Sequence, residues 1–292
     1  MKRRLLTGLL VAPLLAGAVV ATSKPASAQE IQLTGPLAGA PATRKLRLFR
    51  EGRFELAPTM SFTLLDEYRR TILPGARLTY NITDWLGVGV WGAFGAISTT
   101  TDLTDQIDAS APRDNRTAVN VAHNGPNVKN GEGSLTFADQ TAKISYVAAP
   151  QVTFVPFRGK LAIFQKIFVD TDFYVSGGVA FVGLQERAFC GAGGAQVACS
   201  NASSFNLDSR MAIAPTVALG LSFYTSDFVS VGLEYRALPF SWNRAGFDQR
   251  GSGNNGQFPD NKIDAQDETF KWNQMITIAV GFSLPTKPRI SP

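Results

Sequence analysis

Met211-Ala212-Ile213-Ala214-Pro215-Thr216-Val217-Ala218-Leu219-Gly220-Leu221-Ser222-Phe223 is the stretch that decides the fold. Every second residue is large and apolar, and each residue between is small: Ala212, Ala214, Thr216, Ala218, Gly220, Ser222. A period of two belongs to a β-strand, whose successive side chains point to opposite faces. In a soluble sandwich the apolar face is the shared core and the other face meets water and carries charge. Small residues in place of those charges suit the crowded inside of a narrow barrel, and the large apolar face then suits lipid.

Seven further runs alternate on either side of it. Phe54, Leu56, Pro58, Met60, Phe62 and Leu64 oppose Glu55, Ala57, Thr59, Ser61 and Thr63. Ile72 to Ile82, Leu86 to Gly95, Ile144 to Val155 and Asp172 to Leu184 follow, then Val229 to Arg236 and Phe270 to Leu284 beyond the central run. Several runs are long enough to cross a bilayer at a tilt. A sheet edge in hydrocarbon would leave backbone groups unpaired, so the sheet must close. The fold class expected is all-β, an eight-stranded antiparallel transmembrane β-barrel.

The connections carry a second signal. The links around Thr83-Asp84 and Ser226-Asp227 are tight turns, and the link at Asp66 to Arg70 is brief, whereas 98–143, 185–210 and 240–268 are long and polar. With the N-terminus in the periplasm, the long links all fall outside, the asymmetry of bacterial outer-membrane barrels. Arg158 to Asp170 is longer than a turn, and its Leu161, Ile163, Phe164, Ile167 and Phe168 suggest a short amphipathic element at the interface, or an early start to the fifth strand. Phe49, Phe54, Tyr80, Trp85, Phe173, Tyr224, Trp242, Trp272 and Phe282 lie near strand ends, where interfacial aromatic girdles form.

Residues 1–28 read as a cleaved signal peptide: Met1-Lys2-Arg3-Arg4, an apolar stretch to Ala21, then Ala26-Ser27-Ala28 before Gln29. A retained anchor is the alternative. Removing Lys2, Arg3, Arg4 and Lys24 lowers the formal charge from +5 to +1, which takes away the support for a nucleic-acid partner. Residues 29–51 form a periplasmic lead-in, 52–284 the barrel and 285–292 a Pro-rich tail. The chain is thus expected in the cell outer membrane, with outer-membrane lipid and lipopolysaccharide as neighbours and periplasmic or cell-surface proteins as candidate partners.

Residues able to carry chemistry are sparse. The one histidine, His123, lies in an Asn/Gly-rich loop, which argues against a barrel lipase and for no enzymatic activity. Cys190 and Cys199, eight residues apart in an exported chain, are expected to form a disulfide; a metal site is the alternative, but no histidine lies nearby. Two acidic clusters, Asp102, Asp105, Asp108 and Asp260, Asp264, Asp267, Glu268, read as solvated loops or as calcium ligands bridging to lipopolysaccharide. They lack the Gly-centred spacing of a dedicated calcium loop, and neither a metal nor any other cofactor is expected.

The more informative residues are charges on the small-residue faces: Glu55, Arg77, Glu234, Arg236 and Lys271. In a closed barrel of eight strands the four runs that carry them are neighbours, so both signs converge on one wall of the lumen. Buried charges are tolerated when they pair. A salt-bridge plug filling a narrow interior is one reading and a gated ion path the other.

Lys45-Leu46-Arg47-Leu48-Phe49-Arg50-Glu51-Gly52-Arg53-Phe54-Glu55, Asn81-Ile82-Thr83-Asp84-Trp85-Leu86 and Gly159-Lys160-Leu161-Ala162-Ile163-Phe164-Gln165-Lys166 resemble the outer-membrane β-barrel domain proteins found in multiple copies in myxobacteria. The resemblance spans about Gln29 to Leu284. It implies a small OmpA-like barrel and brings no catalytic residues to carry over. The function expected is structural, adhesive or complex-anchoring through the external loops, with a narrow ion or small-solute channel lined by the inward charges as the alternative.

Overall fold

The alternating runs become strands that close on themselves. A computed structural model describes residues 50–110, 137–163, 167–191, 199, 206–251, 260 and 262–286. The leader, the lead-in as far as residue 49, His123 and the end of the tail lie outside the described residues. The strands are β1 (Phe54–Leu64), β2 (Arg69–Asn81), β3 (Leu86–Phe94), β4 (Ile97–Thr100), β5 (Lys143–Ile163), β6 (Ile167–Arg187), β7 (Leu207–Tyr224), β8 (Val229–Trp242) and β9 (Thr269–Leu284). Two helices, α1 (Asp102–Ser110) and α2 (Phe137–Gln140), lie between β4 and β5.

Every pairing is antiparallel, and β1 pairs with both β2 and β9, which closes the barrel. β2 pairs with β3 along Gly75 to Asn81 and with β4 along Arg69 to Ile72. β3 and β4 are therefore one stave with a break, and the barrel has eight. The break falls at Gly95, where a Cβ would stand 2.2 Å from the Ile144 carbonyl oxygen, so only glycine lets the two backbones approach.

The sidedness is that of a membrane barrel. On β1, Ala57 and Ser61 are fully buried, whereas Phe54 and Leu56 are about half exposed. The exposed large apolar residues continue around the wall with Leu78, Val90, Val152, Val179, Val217, Leu219, Leu233, Ile278 and Val280. Water would penalise such a belt, and hydrocarbon solvates it. Phe54, Tyr80, Trp85, Phe154 and Phe282 ring the turn end. Trp242 does not join a girdle: it is buried, and its Nε1 donates to Asn273 Oδ1 at 3.1 Å.

Two expectations are corrected. Arg158 to Asp170 is neither an amphipathic helix nor an early start to one strand. Both β5 and β6 continue through it as a ribbon paired from Phe157–Phe173 to Ile163–Ile167. Its Leu161, Ile163, Ile167 and Val169 alternate as well as they fit a helix, and strand pairing satisfies every residue's backbone. The interior is also not uniformly small. Towards the loop end, Leu73, Trp91, Val147, Val182, Leu184, Leu238, Phe240, Trp242 and Met275 fill the lumen as an apolar core. On β8 the outward residues there become Ala237, Pro239 and Ser241 while Leu238, Phe240 and Trp242 turn inward. A strand that leaves lipid for water inverts its preference, because the inside becomes the drier side.

Candidate functional site

Glu55, Arg77, Glu234 and Arg236 meet in the lumen on the turn side of this apolar core. Arg77 donates to Glu55 Oε1 at 3.0 Å and to Glu234 Oε2 at 2.9 Å. Arg236 donates to Glu234 Oε1 from Nε at 3.0 Å and from Nη2 at 2.7 Å. The signs alternate along the chain of contacts, and the two carboxylates balance the two guanidiniums, which makes burial of all four tolerable. The register places them together: β8, β9, β1 and β2 are consecutive, and β9 presents small Thr277 and Gly281 between the charged strands.

The network then crosses the lumen. Arg236 donates to Gln151 Oε1 on β5 at 2.8 Å and to Thr216 Oγ1 on β7 at 3.1 Å, and its guanidinium lies 4.3 Å from the Trp91 ring centroid on β3. The Tyr174 hydroxyl on β6 accepts from Arg77 at 2.7 Å and donates to Glu234 at 2.9 Å. Sequence reasoning missed Tyr174, Gln151 and Thr216. The signal for Tyr174 is a partner, Gly220: a Cβ there would stand 2.1 Å from Tyr174 Cζ, so the ring lies flat in the space glycine leaves. Gly220→Ala is expected to displace Tyr174 and cost about 1–3 kcal/mol, the usual penalty of overpacking. Urea unfolding of the lipid-embedded barrel measures it, and an unshifted midpoint would show that the ring has another seat.

Lys271 does not join the network. It sits at the loop end, partly exposed, with Nζ 3.7 Å from Glu67 Oε1. It has the inward parity of β9 but lies opposite Phe240, at the far end of the ladder from the charges. A small cavity of about 10 Å³, roughly the space of one water molecule, is lined by Arg50, Glu55, Arg77, Asn81, Tyr174 and Ser222.

Both ends of the lumen are closed by described residues. At the turn end, Arg50 pairs with Asp172 and its backbone N–H donates to Asp84 Oδ1 at 2.7 Å. Arg53 donates to the carbonyls of Pro285 and Asp227 at 3.1 and 3.0 Å, and burial, with Arg50 nearby, holds its pKa below the ordinary arginine value. At the loop end the connections interlock. Cys190 and Cys199 form the disulfide, and Cys190 exchanges two backbone hydrogen bonds with Ile263 of the β8–β9 connection. Gln140 of α2 donates to Ala245 O at 2.8 Å, and Phe137 packs between Tyr68 and Phe247 with ring centroids 5.5 and 5.4 Å away.

The acidic residues of this cap serve the fold. Asp267 accepts from the backbone N–H groups of Gln249, Arg250 and Asp264, and burial still pushes its carboxyl above the ordinary range. Burial likewise raises Asp66, against a hydrogen bond from Thr63 and the charge of Arg244. Glu268 pairs with Arg210 at 3.2 Å. Asp102, Asp105 and Asp108 lie on α1, and among the described residues no group of three such side chains is placed to hold a metal ion.

No family model matches the chain, and no curated protein matches it. Among solved structures it is similar to the N-terminal β-barrel domain of OprF from Pseudomonas aeruginosa, at 8% identity and a TM-score of 0.39, covering 80% of this chain and 98% of that one. It is similar also to OprG of the same organism, at 10% identity and 0.35, covering 82% and 99%. Neisserial surface protein A gives 11% identity and 0.33, covering 79% and 93%. The fold rests on the strand ladder itself: a closed antiparallel barrel of eight staves with an apolar exterior.

Proposed function

We propose that this chain is a non-enzymatic outer-membrane barrel that serves as a sealed anchor and displays its folded loop-end cap at the cell surface for adhesion or assembly. One observation carries the reading. The lumen is occupied in series by the Glu55–Arg77–Glu234–Arg236 network and by an apolar core, while the connections above it are tied into one body. A pore needs a continuous wet path, and a barrel of eight strands has little room for one. The segments that resemble the myxobacterial barrel proteins support the same placement.

Planar-bilayer recording of the refolded mature protein, its folding confirmed by the mobility shift between unheated and boiled samples, is expected to be electrically silent. Reproducible conductance steps that change on Arg77→Gln would replace the anchor by the alternative, a narrow channel. Orientation has its own test. A protease added to intact cells is expected to cut within the β6–β7 or β8–β9 connections and to leave the Thr225–Phe228 turn untouched; cleavage only after the outer membrane is breached would reverse the assignment.

A further inference from the structure

The barrel wall has a seam. β7 pairs with β8 only from Tyr224–Ser230 to Val217–Ala237, yet β7 continues to Leu207 and β8 to Trp242. Beyond the last pair, β7 stays laddered to β6 up to Leu207, and β8 stays laddered to β9 up to Trp242. Extending the register past Val217–Ala237 sets Thr216 against Leu238 and then Pro215 against Pro239. Neither proline has an N–H to offer, so the two edges that face each other are blunted where the ladder stops.

The seam lies at the outer edge of the apolar belt. The lipid-type outward residues of β7 run unbroken from Phe223 through Val217 to Ile213 and Met211, both more than half exposed, and end at Ser209. Behind the seam is the apolar core: Ala212 and Ala214 on one edge, Leu238 and Phe240 on the other, all buried. Its upper end is closed by side chains. Arg210 donates to the Ser241 carbonyl at 2.9 Å and to both Glu186 oxygens, and Glu186 accepts the Asn243 backbone N–H at 3.0 Å. Between that clasp and the Val217–Ala237 pair, the two strands can spread without breaking a ladder hydrogen bond. Elsewhere in hydrocarbon, spreading would strand backbone groups at several kcal/mol each.

We infer that this seam is a lateral gate through which one acyl chain of an outer-leaflet lipid enters the loop-end apolar compartment of the barrel. The chemistry fits. The outside is hydrocarbon, the inside is apolar, and small Ala212 and Ala214 leave the least side-chain bulk in the way. Only a linear apolar chain passes without bringing a polar group past the edges.

Ala214 and Ala180 make a matched pair for the test, because they are direct partners on β7 and β6, both fully buried, and only Ala214 borders the seam. The full mature protein carrying Ala214→Cys or Ala180→Cys is refolded into dioleoylphosphatidylcholine vesicles containing N-dodecylmaleimide, with outward Ile213→Cys as the accessible reference. Adduct formation at position 214 within about tenfold of the rate at 213, with position 180 unmodified, is expected. Adding Pro215→Val and Pro239→Val, which restores the two missing donors, is expected to slow position 214 at least tenfold. No modification at 214 while 213 reacts overturns the gate. So does equal modification at 180, which would mean another route. Modification of 214 by a membrane-impermeant, water-soluble maleimide would make the path aqueous and overturn the acyl-chain assignment. These outcomes are independent of conductance and of loop orientation, so the gate and the sealed anchor stand or fall separately.

Discussion

Arg236→Ala is expected to lower the stability of the embedded barrel by about 3–5 kcal/mol, the range for breaking a buried pair from one side. Arg236 is fully buried and is the sole donor to Glu234 Oε1 among the described contacts; the other oxygen, Oε2, keeps Arg77 and Tyr174. Removing it also leaves Gln151 Oε1 without its donor and opens a gap beside Trp91. Urea unfolding in lipid vesicles, followed by tryptophan emission, reads the loss. The double replacement Glu234→Gln with Arg236→Met removes both charges and should recover part of it, because no ion is then left stranded in a dry place. An unchanged midpoint for Arg236→Ala would mean that water already solvates Glu234, and the plug reading would give way to a wet lumen.

Leu233→Arg is expected to cost about 2–4 kcal/mol, the penalty for arginine near the midplane of a barrel's lipid face. Leu233 is half exposed, and its neighbours across the wall, Leu221 on β7 and Ile278 on β9, are exposed as well. In water the same change would be close to neutral, since surface substitutions usually stay within about 0.5 kcal/mol. The result therefore separates the two solvents. A barrel that refolds with an unaltered midpoint after Leu233→Arg would not have lipid against that face, and Leu233→Phe, expected to be nearly silent, controls for packing.

The two predictions draw on different layers of information. The lipid face was legible as soon as Leu233, Val231 and Val229 alternated with Gly232 and Ser230, because the period of two reports which side a residue faces. The disulfide was legible too, from two cysteines in one connection of an exported chain. The four-charge cluster was half legible. Alternation put Glu55, Arg77, Glu234 and Arg236 inside, but it put Lys271 there with them, and Lys271 stands at the loop end.

The reason is that alternation gives a face and carries no height. Height along the barrel is set by register between strands, through pairs such as Arg236–Met275 and Phe240–Lys271, and register is a property of the closed sheet. What lies across the lumen is further from the chain's own reach. Tyr174, Gln151 and Trp91 meet the charges only because closure brings β6, β5 and β3 opposite β8, within one arginine's length in so narrow a barrel. The sequence by itself determined strand, side and solvent, since those depend on residues two apart; the tertiary structure decided which charges pair, what fills the lumen above them and where the wall is left unlaced, since those depend on how staves distant in sequence align.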